Sequence, residues 1–142
     1  MLNRVPSRPA KDFPDAALIR RAIKEALINN ILVTPVFMVL VFWPLSEWRG
    51  VSAAAADFPS FTHALRDIVV CMLVEDTMFY WLHRGLHHPA IYKYVHKQHH
   101  QFNFSIGVAA EYAHPIEGIV GSSLPFITGP LLMRSHLIVM LV

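Results

Sequence analysis

The run ILVTPVFMVLVFWPL, residues 31–45, decides the fold class. It lies inside a stretch, 26–46, that carries no charged residue, and about 20 apolar residues are what a helix needs to cross a bilayer. Trp43 and Trp48 at its far end suit an interfacial aromatic anchor. Pro35 suits a kink of the kind membrane helices tolerate. Upstream, Arg4, Arg8, Lys11, Arg20, Arg21 and Lys24 make residues 1–25 a basic segment. The positive-inside rule puts that segment in the cytoplasm, and its composition is a poor match to a cleaved signal peptide.

A second apolar run, IVVCMLVEDTMFYWL at 68–82, contains Glu75 and Asp76 and is expected to return the chain across the membrane. Residues 49–62 between the two runs read as a loop with Pro59 as a breaker. The chain after Leu82 is then cytoplasmic, in agreement with Arg84, Lys93 and Lys97. A third run, GIVGSSLPFITGPLLM at 118–133 followed by LIVMLV, has glycines and prolines that fit a broken or re-entrant hairpin as readily as one straight span. No strand-like alternation is present. The expected fold is all-α: an integral membrane helical bundle bearing a cytosol-facing, histidine-rich helical region.

Composition supports this. Of 142 residues 54% are apolar and 15% charged, below the roughly 25% charged of a soluble domain. A net charge of +2 gives no reason to expect nucleic-acid binding. One cysteine, Cys71, excludes an intrachain disulfide and reads as an inert buried thiol.

Histidine carries the functional signal. There are nine, seven of them between His83 and His114. WLHRGLHHP holds His83, His87 and His88, and Pro89 marks His88 as a helix end. HKQHH holds His96, His99 and His100, whose spacing puts all three on one side of a helix. The linker PAIYKYV is short enough to fold the two groups together. So many imidazoles crowd and repel on protonation unless a metal compensates, and imidazole suits iron, zinc, copper and nickel alike. For His63 and His136 a satisfied polar or interfacial role is the simpler reading. Glu75 and Asp76, seven or eight residues before His83, can lie on its face and accept the distal imidazole N–H. An ordinary polar helix end is the equal alternative. In EYAHPIE, residues 111–117, His114 before Pro115 is expected in a turn from which it can approach the other histidines.

EDTMFYWLHRGLHHPAIYKYVHKQHHQF followed by AAEYAHPIE resembles the fatty acid hydroxylase superfamily of membrane sterol desaturases and hydroxylases, and within it the C-4 methylsterol oxidases. The resemblance covers residues 70–117 closely. It implies a non-haem di-iron site on the cytosolic side of the endoplasmic reticulum membrane. It implies O₂-dependent oxidation of an unactivated C–H bond of a lipid, in the methylsterol group the C-4 methyl, with electrons from cytochrome b5 and its reductase. Carried over by position, the ligands are His83, His87 and His88, then His96, His99 and His100, with His114 as a further ligand. Residues 26–142 then form part of such a domain. The family's third HxxHH box lies downstream of further membrane segments, and the chain stops before it, so a truncated form with weak metal binding or no turnover is expected. The competing class is a non-catalytic, zinc-binding membrane protein or interaction partner. Bis-histidine haem binding explains paired histidines but not HxxHH triplets. The substrate among sterols, sphingoid bases, fatty acyl chains and alkylglycerols stays open.

Overall fold

The computed structural model describes residues 14–102 and 106–141, all of it helix, turn and loop. The first helix, α1, runs unbroken over Ala16–Arg49. The Asp15 side chain caps it by accepting from Ala17 N at 3.3 Å. Gly50, at φ 71°, closes it in the left-handed conformation that a glycine adopts without strain. At 1.5 Å per residue its 34 residues span about 51 Å. It starts ten residues ahead of the uncharged stretch, so Arg20, Arg21 and Lys24 ride on its first turns and the boundary drawn at residue 25 falls inside it. The remainder of the basic segment, 1–13, lies outside the described residues.

α1 is not a soluble core helix. Ile31, Val39 and Leu40 are 70%, 66% and 69% exposed. An apolar surface of that kind is stable against lipid and unstable against water. Ser60 caps the next helix, α2 (Phe61–Leu86), by accepting from His63 N at 3.4 Å. A short α3 (Pro89–Tyr92), a 3₁₀ turn (His96–Gln101) and α4 (Gly107–Glu111) follow. α5 runs over Pro115–Met133 and ends at Arg134, whose φ is 53°. A last 3₁₀ turn covers Leu137–Leu141.

Among the described residues, α1 and α5 are the helices long and apolar enough to cross a membrane. The run at 68–82 is the middle of α2, which carries the chain back from the far end of α1; Arg66, Asp67, Glu75, Asp76 and Arg84 lower the mean hydropathy of this helix. Of the two readings open for 118–133, a hairpin or one straight span, the structure has the second, a single continuous helix. The chain is thus an all-α protein of membrane type, with α2 packed antiparallel to α5.

Prolines shape the long helices. Widened π-turns cover Asn29–Val33, Met38–Phe42 and Gly118–Ser123, and each ends two residues before a proline, Pro35, Pro44 or Pro125. Proline lacks an N–H and crowds the preceding turn. A π-turn there absorbs the mismatch without ending the helix. Gly129 sets the closest approach of α5 to α2, since a Cβ on it would lie 2.8 Å from Cys71 Cα. Small residues allow such backbone contact between membrane helices.

The three long helices alternate in direction. At one end Gln98 donates to Glu25 on α1, and Asn29 Nδ2 donates to Ala113 O at 2.8 Å. At the other, Arg49 Nε donates to Leu131 O at 3.0 Å and Leu137 N to Ser52 O at 2.9 Å. His136 belongs to this second end, with Nε2 3.1 Å from Ala54 O and its ring against Phe58. The first end, where α1 begins, α2 finishes and α5 begins, carries the other histidine-rich segments.

Candidate metal centre

Four histidines converge at that first end. His83 and His87, four apart near the end of α2, face the same way, with Nε2 atoms 3.3 Å apart. The turn through Pro89 and Tyr92 brings the chain back, and the 3₁₀ turn presents His96 and His100. His96 Nε2 lies 3.1 Å from His87 Nε2 and 2.9 Å from His100 Nε2. One nitrogen from each of His83, His87, His96 and His100 lies within 4.8 Å of every other. Tyr92 packs beside them, its ring stacked on His87 at 5.9 Å.

His96 is the centre of the group. It is fully buried, and its Nδ1 lies 2.7 Å from Oε1 of the buried Glu117. A carboxylate accepts, so His96 donates from Nδ1 and turns the lone pair of Nε2 toward His87 and His100. Burial first, and then the imidazoles of His83, His100, His87 and His99, push the His96 pKa down to about 4. Burial, with His87 and His99, also lowers that of His100. These rings are therefore neutral near pH 7, the form in which imidazole binds a metal.

The arrangement fits a metal ion. Metal–nitrogen bonds of 2.0–2.1 Å at angles between octahedral and tetrahedral place ligand nitrogens roughly 2.9–3.4 Å apart, and the 2.9–3.3 Å separations fall in that interval. Mutual hydrogen bonding accounts for the group less well, because His96 Nε2 has two other Nε2 atoms against it and no proton of its own.

The remaining predicted residues fall elsewhere. His99 stacks on His96 at 5.7 Å and 17°, as residues three apart do in a 3₁₀ turn. Its Nδ1 is buried without a hydrogen-bond partner. The second histidine segment is thus 3₁₀ rather than the expected α-helix, so its spacing of three brings rings into register. His88 is exposed and caps α3, its Nδ1 accepting from Ala90 N at 3.3 Å. His114 caps α5 in the same way, accepting from Ile116 N at 3.2 Å. Neither joins the group of four. Glu75 and Asp76 are exposed, and no hydrogen bond joins either to a histidine among the described residues. The carboxylate that meets an imidazole is Glu117, 21 residues beyond His96. The sequence signal for it was the acidic residue two places after His114-Pro115, at the start of an apolar helix, where a carboxylate is costly unless partnered.

Two cavities lie beside the start of α5, and one of them reaches the histidines. One of about 270 Å³ is walled by His83, His99 and Glu117. Another of about 430 Å³ reaches Asn29, Asn30 and Glu75.

The sequence pattern of the fatty acid hydroxylase family matches residues 68–142. Fatty acid hydroxylase ahd1 of Mycosarcoma maydis is 39% identical over 124 residues, which cover 87% of this chain and 32% of that protein. Fatty acid hydroxylase domain-containing protein 2 of Homo sapiens is 39% identical over 87% of this chain and 36% of its own length. The C-4 methylsterol oxidase of Candida albicans is 44% identical over 67% of this chain and 30% of its own length. The chain spans about a third of the length of these curated relatives. No solved structure matches it.

Proposed function

The chain belongs to the fatty acid hydroxylase family, and on that footing we propose that its histidine cluster holds iron for the O₂-dependent hydroxylation of a membrane lipid. The observation that carries the proposal is the convergence of the His83, His87, His96 and His100 nitrogens beside the buried Glu117. His99 stacks on this group, while His88 and His114 cap α3 and α5, so the ion is assigned to the four convergent imidazoles as part of a non-haem di-iron centre. Bound iron supplies the activation of O₂ that a C–H bond of a lipid requires.

The chain's own residues do the rest. Glu117 fixes the tautomer and ring orientation of His96 and raises its basicity. Gln98, donating to Glu25, ties the 3₁₀ turn to α1 and holds His96 and His100 in place. The length and apolarity of α1 and α5 support a position of this end of the bundle at a membrane surface. The basic residues of the N-terminal segment favour a cytosolic face for it, on the endoplasmic reticulum in a eukaryotic cell, with cytochrome b5 and its reductase as electron donors. The likeness to C-4 methylsterol oxidase favours a sterol C-4 methyl as the carbon oxidised.

Anaerobic titration of the purified chain with ferrous iron tests the proposal. Tight uptake that is lost in His96→Ala supports it. Binding of zinc but not iron, or uptake indifferent to His96, refutes it.

A further inference from the structure

The exposed face of α2 carries Met72, Leu73, Phe79 and Tyr80. Near the end of the helix it holds an open groove of about 520 Å³, lined by Phe79, Tyr80, His83, Arg84 and His87. Two of the four convergent imidazoles thus stand on one side of it, and two donors stand on the other. Arg84 Nη1 donates to Tyr80 Oη at 3.0 Å, and Arg84 Cζ lies 5.5 Å from the centre of the Trp81 ring. Because the phenol oxygen accepts that bond, its own O–H proton is left to donate elsewhere. Among the described residues no carboxylate lies within ion-pair distance of Arg84, whereas Arg21 and Arg66 are paired with Glu25 and Asp67. A guanidinium steadied by an indole face, with a phenol donor beside it, suits the oxygens of an anion. The level of the groove along the helices points to a lipid. At 1.5 Å per residue, α2 sets Tyr80 about 29 Å and Arg84 about 35 Å from Phe61, which is 81% exposed. On α1, Lys24 and the exposed Trp48 stand about 36 Å apart. Both intervals fit a hydrocarbon core about 30 Å thick, bounded by aromatic and basic side chains at headgroup level.

We propose that this groove holds a glycerophospholipid of the leaflet at the histidine end, with its phosphate on Arg84 and Tyr80 and an acyl chain along Phe79 toward Met72. The guanidinium and the phenol O–H donate to the phosphate oxygens, and the ring of Phe79 covers the first methylenes of the chain. Asp76, one turn further into the bundle on the same face, repels an anion from deeper on the helix and confines the phosphate to the level of Arg84. The lipid is a bound partner and not the molecule that is oxidised. Held there, it fixes the level of the α2 end, and with it His83 and His87, against the headgroups. The assignment needs no metal and stands apart from the oxygenase reading.

The test is native mass spectrometry of the full chain released from detergent micelles. It is titrated with dioleoyl phosphatidylglycerol and with dioleoylglycerol, which has the same acyl chains and no phosphate. The phospholipid is expected to half-saturate the chain at about one-tenth the concentration of the diacylglycerol, the discrimination of one charge-assisted hydrogen bond. Arg84→Gln is expected to abolish the preference and Tyr80→Phe to narrow it about threefold. Lys24→Gln, which removes an exposed cation at the same end, is expected to leave it unchanged, as is added EDTA. Helix content by circular dichroism checks that each variant is folded, and should Arg84→Gln fail that check, Tyr80→Phe decides. Equal binding of the two lipids, a preference unchanged in the folded variant, or an equal loss in Lys24→Gln overturns the assignment. So does a preference that EDTA removes, since a metal at the histidines has then taken the phosphate. Displacement of the lipid by millimolar inorganic phosphate also overturns it, in favour of a soluble phosphate as the occupant.

Discussion

His96 Nδ1 and Glu117 Oε1 lie 2.7 Å apart, and both side chains are buried where the 3₁₀ turn meets the start of α5. The pair joins the sequence around the second histidine segment to the one after His114-Pro115. It sets which nitrogen of His96 faces the other imidazoles, and so whether the four can share an ion.

Glu117→Gln retains the side chain's shape and removes the negative charge. Loss of a carboxylate partner of this kind costs about 10–100-fold in metal affinity. A chelator-competition assay is expected to show a loss in that range, with helix content unchanged by circular dichroism. Unchanged affinity would mean that the contact serves packing alone.

The two histidine segments contribute unequally. His96→Ala removes the central nitrogen and is expected to abolish tight metal uptake. His88→Ala removes a cap of α3, worth about 0.5–2 kcal/mol, and is expected to lower the melting temperature more than the metal content. Equal metal loss in the two variants would place His88 among the four.

Acid should release the metal, and protonation of His96 itself works against the metal-free fold. The pKa of His96 falls from 6.5 to about 4 on folding, so between those values this ring binds more protons in the unfolded chain than in the folded one. The stability that His96 itself contributes therefore decreases as pH falls from 6.5 toward 4. Denaturation of the chelator-treated protein beside His96→Gln across that window checks the sign: the stability difference between the two is expected to shrink as pH falls.

Gly129→Ala places a methyl group 2.8 Å from Cys71 Cα. Overpacking of this kind costs about 1–3 kcal/mol. Thermal unfolding in detergent should register the loss, and Cys71→Ala should not rescue it, because the nearest atom is backbone. Full rescue would show that the thiol alone sets the spacing.

Much of this was legible in the sequence. The uncharged run at 26–46 announced α1, and the histidine spacing announced a convergence of rings. The prolines at 35, 44 and 125 were visible too, though a proline read alone suggests a kink or break, and only the folded chain shows a π-turn before each. Local spacing does not reveal the 3₁₀ geometry of residues 96–101, since HxxHH fits either helix. Nor does it reveal that Glu117 rather than Glu75 meets an imidazole. Glu75 is near His83 in sequence and faces a cavity in space, whereas Glu117 reaches His96 through the return of α5. Tertiary packing, not periodicity, makes that choice.

X-ray absorption at the iron edge of the anaerobically loaded chain tests the central claim most directly. The account predicts a first shell dominated by imidazole nitrogens that loses amplitude in His96→Ala and His100→Ala alike. A shell of oxygen atoms without imidazole scattering, or one unaltered by either substitution, would contradict it.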